Sequence, residues 1–387
     1  MFASIGFGLL CGSLVSLISS FSYFSLSNSF ISACKSLNLS SGDALPIVNA
    51  TFENQWGTRM LVGLPVGLSS TKVMDQQRAI AEALRVTPDN MEMRYDDGLI
   101  IDIIKKEMPI KVPYREGFGY KVFIGVNKRG EERFYDFDGP FPHLLIGGIS
   151  GGGKSVMLRA ILTQLVFGPA PDLFLCDLKG GVELGLYREL ECVKGLAITL
   201  QQCRDAAAAV EEEMNRRYSV MFSNGSQSWE GRKMVFVMDE LADLKTRAGD
   251  PEAKLKQEIK TILTRISAKG RAAGVLLVLC TQRPSADVVD GLIKTNIAAS
   301  ICFRTRDDTQ SRIVLDHNGA AELPDIPGRL IFQSARDETL QAPFISAGDA
   351  KQIISKLPKR ILELEAEQHE HGSSQTDPLD GNFIELR

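Results

Sequence analysis

The chain has 387 residues, 44% hydrophobic and 24% charged, with a formal net charge of −4. That is enough for one large domain and one or two smaller pieces with ample core, and it excludes a disordered or fibrous class. The weak acidity also excludes steering of nucleic acid by whole-protein charge, so any such contact has to come from local basic loops.

Residues 1–35 form a candidate membrane segment. No charged side chain precedes Lys35, and the apolar run is long enough for a helix of about 20 residues across a bilayer of ~30 Å. A missing basic start argues against a cleaved signal peptide. Its serines leave a partly buried or interfacial segment as the alternative, and Lys35 just after it favours a cytoplasmic remainder. Residues 36–55 are turn-rich and read as a linker. Residues 56–135 read as a small α+β module. It has a strand at 59–64, a helix capped by Ser69-Ser70-Thr71 with apolar Val73, Ile80 and Leu84, and a hairpin around Asp96-Asp97-Gly98.

From 136 to 350 apolar strands alternate with helices, which predicts an α/β domain with a mainly parallel sheet covered on both faces. Strands are expected at 144–146, 173–176, 235–238, 275–280, 300–303 and 329–332, and helices at 154–167, 201–222, 252–269 and 308–315. Residues 351–387 read as a short helix and a polar, disordered tail. Seven cysteines without a C-x-x-C pair read as reduced core residues, and the four histidines are not spaced beside them as zinc ligands.

The first of these strands runs directly into Gly148-Ile149-Ser150-Gly151-Gly152-Gly153-Lys154-Ser155, which fits G-x-x-x-x-G-K-[ST]. The glycines let backbone N–H groups turn inward around a polyphosphate, Lys154 reaches the β/γ-phosphates, and the Ser155 hydroxyl can ligate Mg²⁺. The helix that follows adds its positive end to the same anion site. The chain is expected to bind a nucleoside triphosphate.

Ligands of such sheets sit at the C-terminal strand ends. The strand at 235–238 ends in Asp239-Glu240, placing Asp239 to hold Mg²⁺ with Ser155 and Glu240 to orient or deprotonate an attacking water. The bland reading is a carboxylate pair offsetting a helix dipole. The strand at 275–280 ends in Thr281-Gln282-Arg283-Pro284, and the Gln282 side chain is a candidate for contact with the γ-phosphate or the water.

Val235-Phe-Val-Met-Asp-Glu-Leu-Ala-Asp-Leu244 resembles the Walker B segment of FtsK/SpoIIIE-type DNA translocases. Lys269-Gly-Arg-Ala-Ala-Gly274, Thr281-Gln-Arg-Pro-Ser285, Gly291-Leu-Ile-Lys-Thr-Asn-Ile297 and Ser311-Arg-Ile-Val-Leu-Asp316 follow in the family's order. The resemblance covers roughly 140–346. It implies a RecA-like motor, usually a hexameric ring, that hydrolyses ATP to move double- or single-stranded DNA through a pore. It also implies an arginine supplied by the neighbouring subunit, a role that falls on Arg265 with Arg271 as its rival. Asp177-Leu-Lys-Gly-Gly181 with Glu183 matches another family segment, with Leu178 in place of the usual proline and no role assigned.

About forty residues follow Ile345, too few for the DNA-reading winged-helix domain of chromosome-segregating members. The usual Gly-Asp-Met stretch near the motor's end is replaced by Asp325-Ile-Pro-Gly-Arg329. The layout is most similar to the FtsK-like coupling proteins of Gram-positive conjugative elements. The implied partners are DNA, further copies of the chain, the membrane and a transfer machinery. Two alternatives stand beside it: a type VII-like ATPase that moves protein, and a non-motor P-loop switch or kinase.

Overall fold

The computed structural model describes residues 26–289 and 291–359. The expected membrane segment therefore lies mostly outside the described residues, as does the polar tail. Among the described residues no helix is long and apolar enough to cross a membrane. The chain divides into two compact units, one of Met1–Met108 with Lys128–Gly130 and one of Pro109–Asn127 with Glu131–Arg387.

The first unit opens with helix α1 (26–36). Strands β1 (Ile47–Asn54), β2 (Gly57–Gly63), β3 (Met91–Tyr95) and β4 (Leu99–Ile104) form an antiparallel sheet in the order β1-β2-β4-β3. The stretch expected as linker thus supplies an edge strand, because Ile47–Asn54 pairs with Gly57–Gly63 along nearly its whole length. The single helix expected after Ser69 is two short ones, α2 (Ser70–Met74) and α3 (Gln77–Ala83). Ser69 caps the first as expected, accepting from the Lys72 N–H at 3.1 Å. Phe30, Cys34, Met60, Val62, Val73, Ile80, Leu99 and Ile101 make the core. Within it Asp102 is fully buried and accepts from Arg59, Arg94 and Arg129. Burial alone would raise its carboxyl, but the guanidiniums outweigh that and hold it below the ordinary carboxylate range.

The second unit is built on a ten-stranded sheet. A short strand β5 (Val112–Pro113) lies outside it, pairing with β16 (Pro343–Phe344). The sheet's strands are β6 (Lys121–Asn127), β7 (Glu132–Asp136), β8 (Leu144–Gly147), β9 (Asp172–Cys176), β10 (Val193–Ala197), β11 (Met234–Met238), β12 (Val275–Thr281), β13 (Ala299–Phe303), β14 (Arg329–Gln333) and β15 (Asp337–Gln341). Their order is β10-β9-β11-β12-β8-β13-β14-β15-β6-β7. The run from β10 to β13 is parallel, and the run from β14 to β7 is added antiparallel. The sheet is therefore more mixed than expected. Residues 121–135, placed in the small module by the sequence reading, instead form most of the hairpin β6–β7 at the edge of this sheet.

The parallel strands are apolar throughout because both faces are covered. Leu144, Ile146, Val235, Val237, Leu276 and Val278 pack on one face with Met157, Leu158, Ile161 and Leu165 of helix α4 (Lys154–Leu165). Their alternates Leu145, Phe236, Met238, Leu277 and Leu279 pack on the other with helices α5 (Leu200–Asn224) and α6 (Ala253–Lys269). Successive strand residues point to opposite faces, so a strand buried on both carries no polar alternation. Thr199 and Gln202 close a capping box at the start of α5, and left-handed Gly225 ends it. Helices α7 (Gly291–Asn296), α8 (Asp308–Leu315) and α9 (Ala347–Ile354) are the unit's remaining α-helices among the described residues. All six described cysteines are buried and unbridged, as the sequence predicts.

Candidate nucleotide-binding site

Strand β8 ends at Gly147, and the chain then folds into a loop that only glycines can form at several points. Gly148 has φ +141°, and a Cβ there would lie 2.6 Å from Cβ of Phe303. Gly153 has φ +120°, and a Cβ there would lie 3.0 Å from the Phe303 ring and 3.2 Å from the Gly328 backbone. Backbone bonds fix the turn: Ile149 N–H donates to the Arg304 carbonyl at 3.0 Å, and Gly152 N–H to the Ile149 carbonyl at 3.2 Å. Gly328 N–H donates to the Gly152 carbonyl at 2.8 Å. The stretch Asp325–Arg329, which departs from the family pattern, thus forms one wall of this loop. Helix α4 starts from the loop, and its first N–H groups lack intrahelical acceptors.

Lys154 is only 4% exposed, and its Nζ has no hydrogen-bond partner. A buried ammonium without an acceptor is costly, so the loop is built for an anion that supplies one.

The register of the parallel strands brings the next group alongside. Met238 of β11 pairs with Cys176 of β9, and Asp239 N–H donates to the Cys176 carbonyl at 3.0 Å. Asp239 is 2% exposed and its Oδ1 is unpartnered. Burial raises its carboxyl above the ordinary range, against the pull of Lys154 and Lys179. Glu240, 6% exposed, caps the short helical turn Leu241–Leu244 by accepting from the Ala242 N–H at 3.2 Å. It also accepts from the Gln282 N–H at 3.1 Å. Strand β12 lies between β8 and β11, so this bond joins the strand end beside the phosphate loop to the acidic pair. The sequence offers the Gln282 side chain as the active group, whereas the contact present is made by its backbone.

Ser155, with Asp239, could hold a divalent cation, and the unpartnered Asp239 Oδ1 together with the orphaned Lys154 ammonium fits a metal–polyphosphate ligand. Arg265 is not brought to this group. It lies near the C-terminal end of α6, which leads into the start of β12 and so to the N-terminal strand ends, opposite the phosphate loop. It is 58% exposed and bonds Glu211 at 3.3 Å. Arg271, also exposed, lies in the turn before β12. Sequence reasoning gave no role to Lys179. Its Nζ lies 3.3 Å from Asp239 Oδ2 and 3.6 Å from Glu240 Oε2. Burial would lower its pKa, but the two carboxylates outweigh that and raise it. The signal available was its place just past the end of an apolar strand.

The FtsK/SpoIIIE family model matches residues 119–233 and 219–286. The chain is 34% identical over 238 residues to the DNA translocase FtsK of Chlorobaculum tepidum, covering 55% of this chain and 28% of that protein. The chain therefore spans less than a third of that relative's length. Among solved structures it is similar to the pCW3 conjugation coupling protein TcpA, a monomer form with ATPγS. The TM-score is 0.60 at 24% identity, covering 86% of this chain and 99% of that one. It is also similar to the cytoplasmic domain of the Thermomonospora curvata type VII secretion ATPase EccC, with TM-score 0.52 and 25% identity over 65% of this chain and 33% of that one. The motif order, the strand order and these matches agree: residues 119–286 match the FtsK/SpoIIIE family model, on an α/β fold like that of P-loop ATPase motors.

Proposed function

We propose that the chain binds ATP with Mg²⁺, hydrolyses it and uses the energy to move DNA, in conjugative transfer or for a mobile element. The observation that carries the nucleotide part of this reading is the buried, unpartnered Lys154 ammonium in the glycine loop, beside a buried Asp239 with a free oxygen, and the match to the FtsK/SpoIIIE family model supports the DNA part. A bound Mg²⁺ would polarise the phosphate oxygens. Lys154 binds the β/γ-phosphate oxygens, Ser155 and Asp239 hold the metal, and the Glu240 carboxylate, fixed by two backbone N–H groups, accepts a proton from water. Gln282, whose N–H bonds Glu240, contributes its side chain to orient that water. Arg265 of a neighbouring copy completes the site in a ring, in line with its position away from the phosphate loop of its own subunit. Residues 1–35 tether the motor to the membrane on its cytoplasmic side.

ATP hydrolysis measured with and without duplex or single-stranded DNA tests the reading. Turnover should rise severalfold with DNA, fall off with salt as phosphate contacts are lost, and vanish in Lys154→Ala. The likeness to EccC supports a second reading, transport of protein. Turnover indifferent to every nucleic acid but raised by a secreted polypeptide would favour it.

A further inference from the structure

Lys179 stands where the acidic pair needs a positive charge. The turn carrying it is built rather than loose. Asp177, fully buried at the end of β9, accepts from the Lys179 N–H at 3.1 Å through Oδ1. Its Oδ2 accepts from the Glu183 and Leu184 N–H groups at 2.9 and 3.1 Å. Gly180 and Gly181, at φ +79° and +74°, let the chain double back directly after Lys179. The side chain is aimed across the strand ends at Asp239 and Glu240, while 42% of it stays exposed. Two buried carboxylates on adjacent residues are costly without a nearby cation. Lys154 is close enough to act on Asp239 but donates to no oxygen. Lys179 alone among the described cations is recorded in an ion pair with the acidic pair.

We propose that Lys179 is a positioning residue that competes with a divalent cation for the Asp239 and Glu240 carboxylates, so that the nucleotide-free site refuses the metal until a polyphosphate brings it in. This rests on the Mg²⁺–nucleotide reading of the site. Because its side chain is partly in water, Lys179 can swing aside when the dication arrives with phosphate oxygens. Without Lys179, Lys154 is the cation left acting on Asp239, while Asp177 adds negative charge to it and Asp243 lies near both carboxylates. Attraction for a bare dication then rises, since a buried site screens such charges poorly.

The test uses the full chain without nucleotide and Mn²⁺ as the probe, with free Mn²⁺ read from its electron paramagnetic resonance signal. Lys179→Met should bind Mn²⁺ at least tenfold more tightly than the wild type, and Lys179→Gln should show the same gain. Lys179→Arg should keep the wild-type weakness. The double variant Lys179→Met with Asp239→Asn should lose the gain, which a merely structural role for Lys179 would not produce. Wild-type protein titrated with Mn²⁺ and ATPγS together separates the two claims. If it binds neither, the nucleotide reading fails. If it binds both but the Lys179 variants show no gain for Mn²⁺ alone, the inference is overturned. Loss of ATPγS affinity in Lys179→Met without that gain would likewise overturn it, in favour of a direct phosphate contact.

Discussion

At the scale of single residues, the proposed function separates holding a nucleotide from reacting it. Lys154 and the glycine loop need only an anion. Glu240 contributes nothing to the anion but is held rigid by the Ala242 and Gln282 N–H groups. Glu240→Gln keeps an acceptor for those N–H groups and removes the carboxylate that takes a proton in the proposed mechanism. It should therefore bind ATPγS within about threefold of the wild type while turnover falls roughly 10²–10⁴-fold. Binding and single-turnover measurements check this, and an equal loss of both would make Glu240 a structural cap. The acidic pair and the loop were legible in the sequence because strand, motif and helix follow one another without a gap. The backbone role of Gln282 was not, since sequence names a side chain and here the N–H makes the bond. Lys179 was missed because its partners lie about sixty positions away and meet it only through the β9–β11 register.

At the scale of elements, the apolar strands were readable from composition alone, because burial on both faces removes every polar alternation. The edge hairpin β6–β7 and the strand β10 were not. Asn127, Arg133 and Lys194 make β6, β7 and β10 look like surface loop, and their place depends on which strand they pair with. His143 shows how such a junction is tied. It sits 2% exposed just before β8, and its Nδ1 accepts from the Leu277 N–H of β12 at 3.1 Å. Burial pushes its pKa down to about 4. Since the unfolded chain titrates near 6.5, the neutral histidine's contribution is complete above that pH and is lost as pH falls towards 4. Between pH 7 and 4.5 the loss should be on the order of 2 kcal/mol. Denaturant unfolding of the wild type and of His143→Asn, whose side-chain oxygen can still accept, should diverge by that amount over this range. Parallel curves would show that His143 is not the group that titrates.

At the scale of the whole molecule, the proposed role of Arg265 in a neighbouring copy has a consequence for assembly. A site with Lys154, Asp239 and Glu240 from one copy and Arg265 from the next is complete only between subunits. Arg265→Ala and Glu240→Gln should each be inactive alone. Mixed, they should recover part of the turnover, rising with protein concentration, because some interfaces regain a wild-type residue on each side. An Arg265→Ala protein that hydrolyses ATP normally by itself would remove this residue and turn attention to Arg271.

The central claim is movement of DNA driven by hydrolysis, and displacement of a labelled third strand from a DNA triplex reads movement directly. The full chain should release the third strand with ATP, and not with ATPγS or in the Lys154→Ala variant. Release that proceeds equally without hydrolysis, or no release from a protein whose ATP turnover is robust, would contradict the claim.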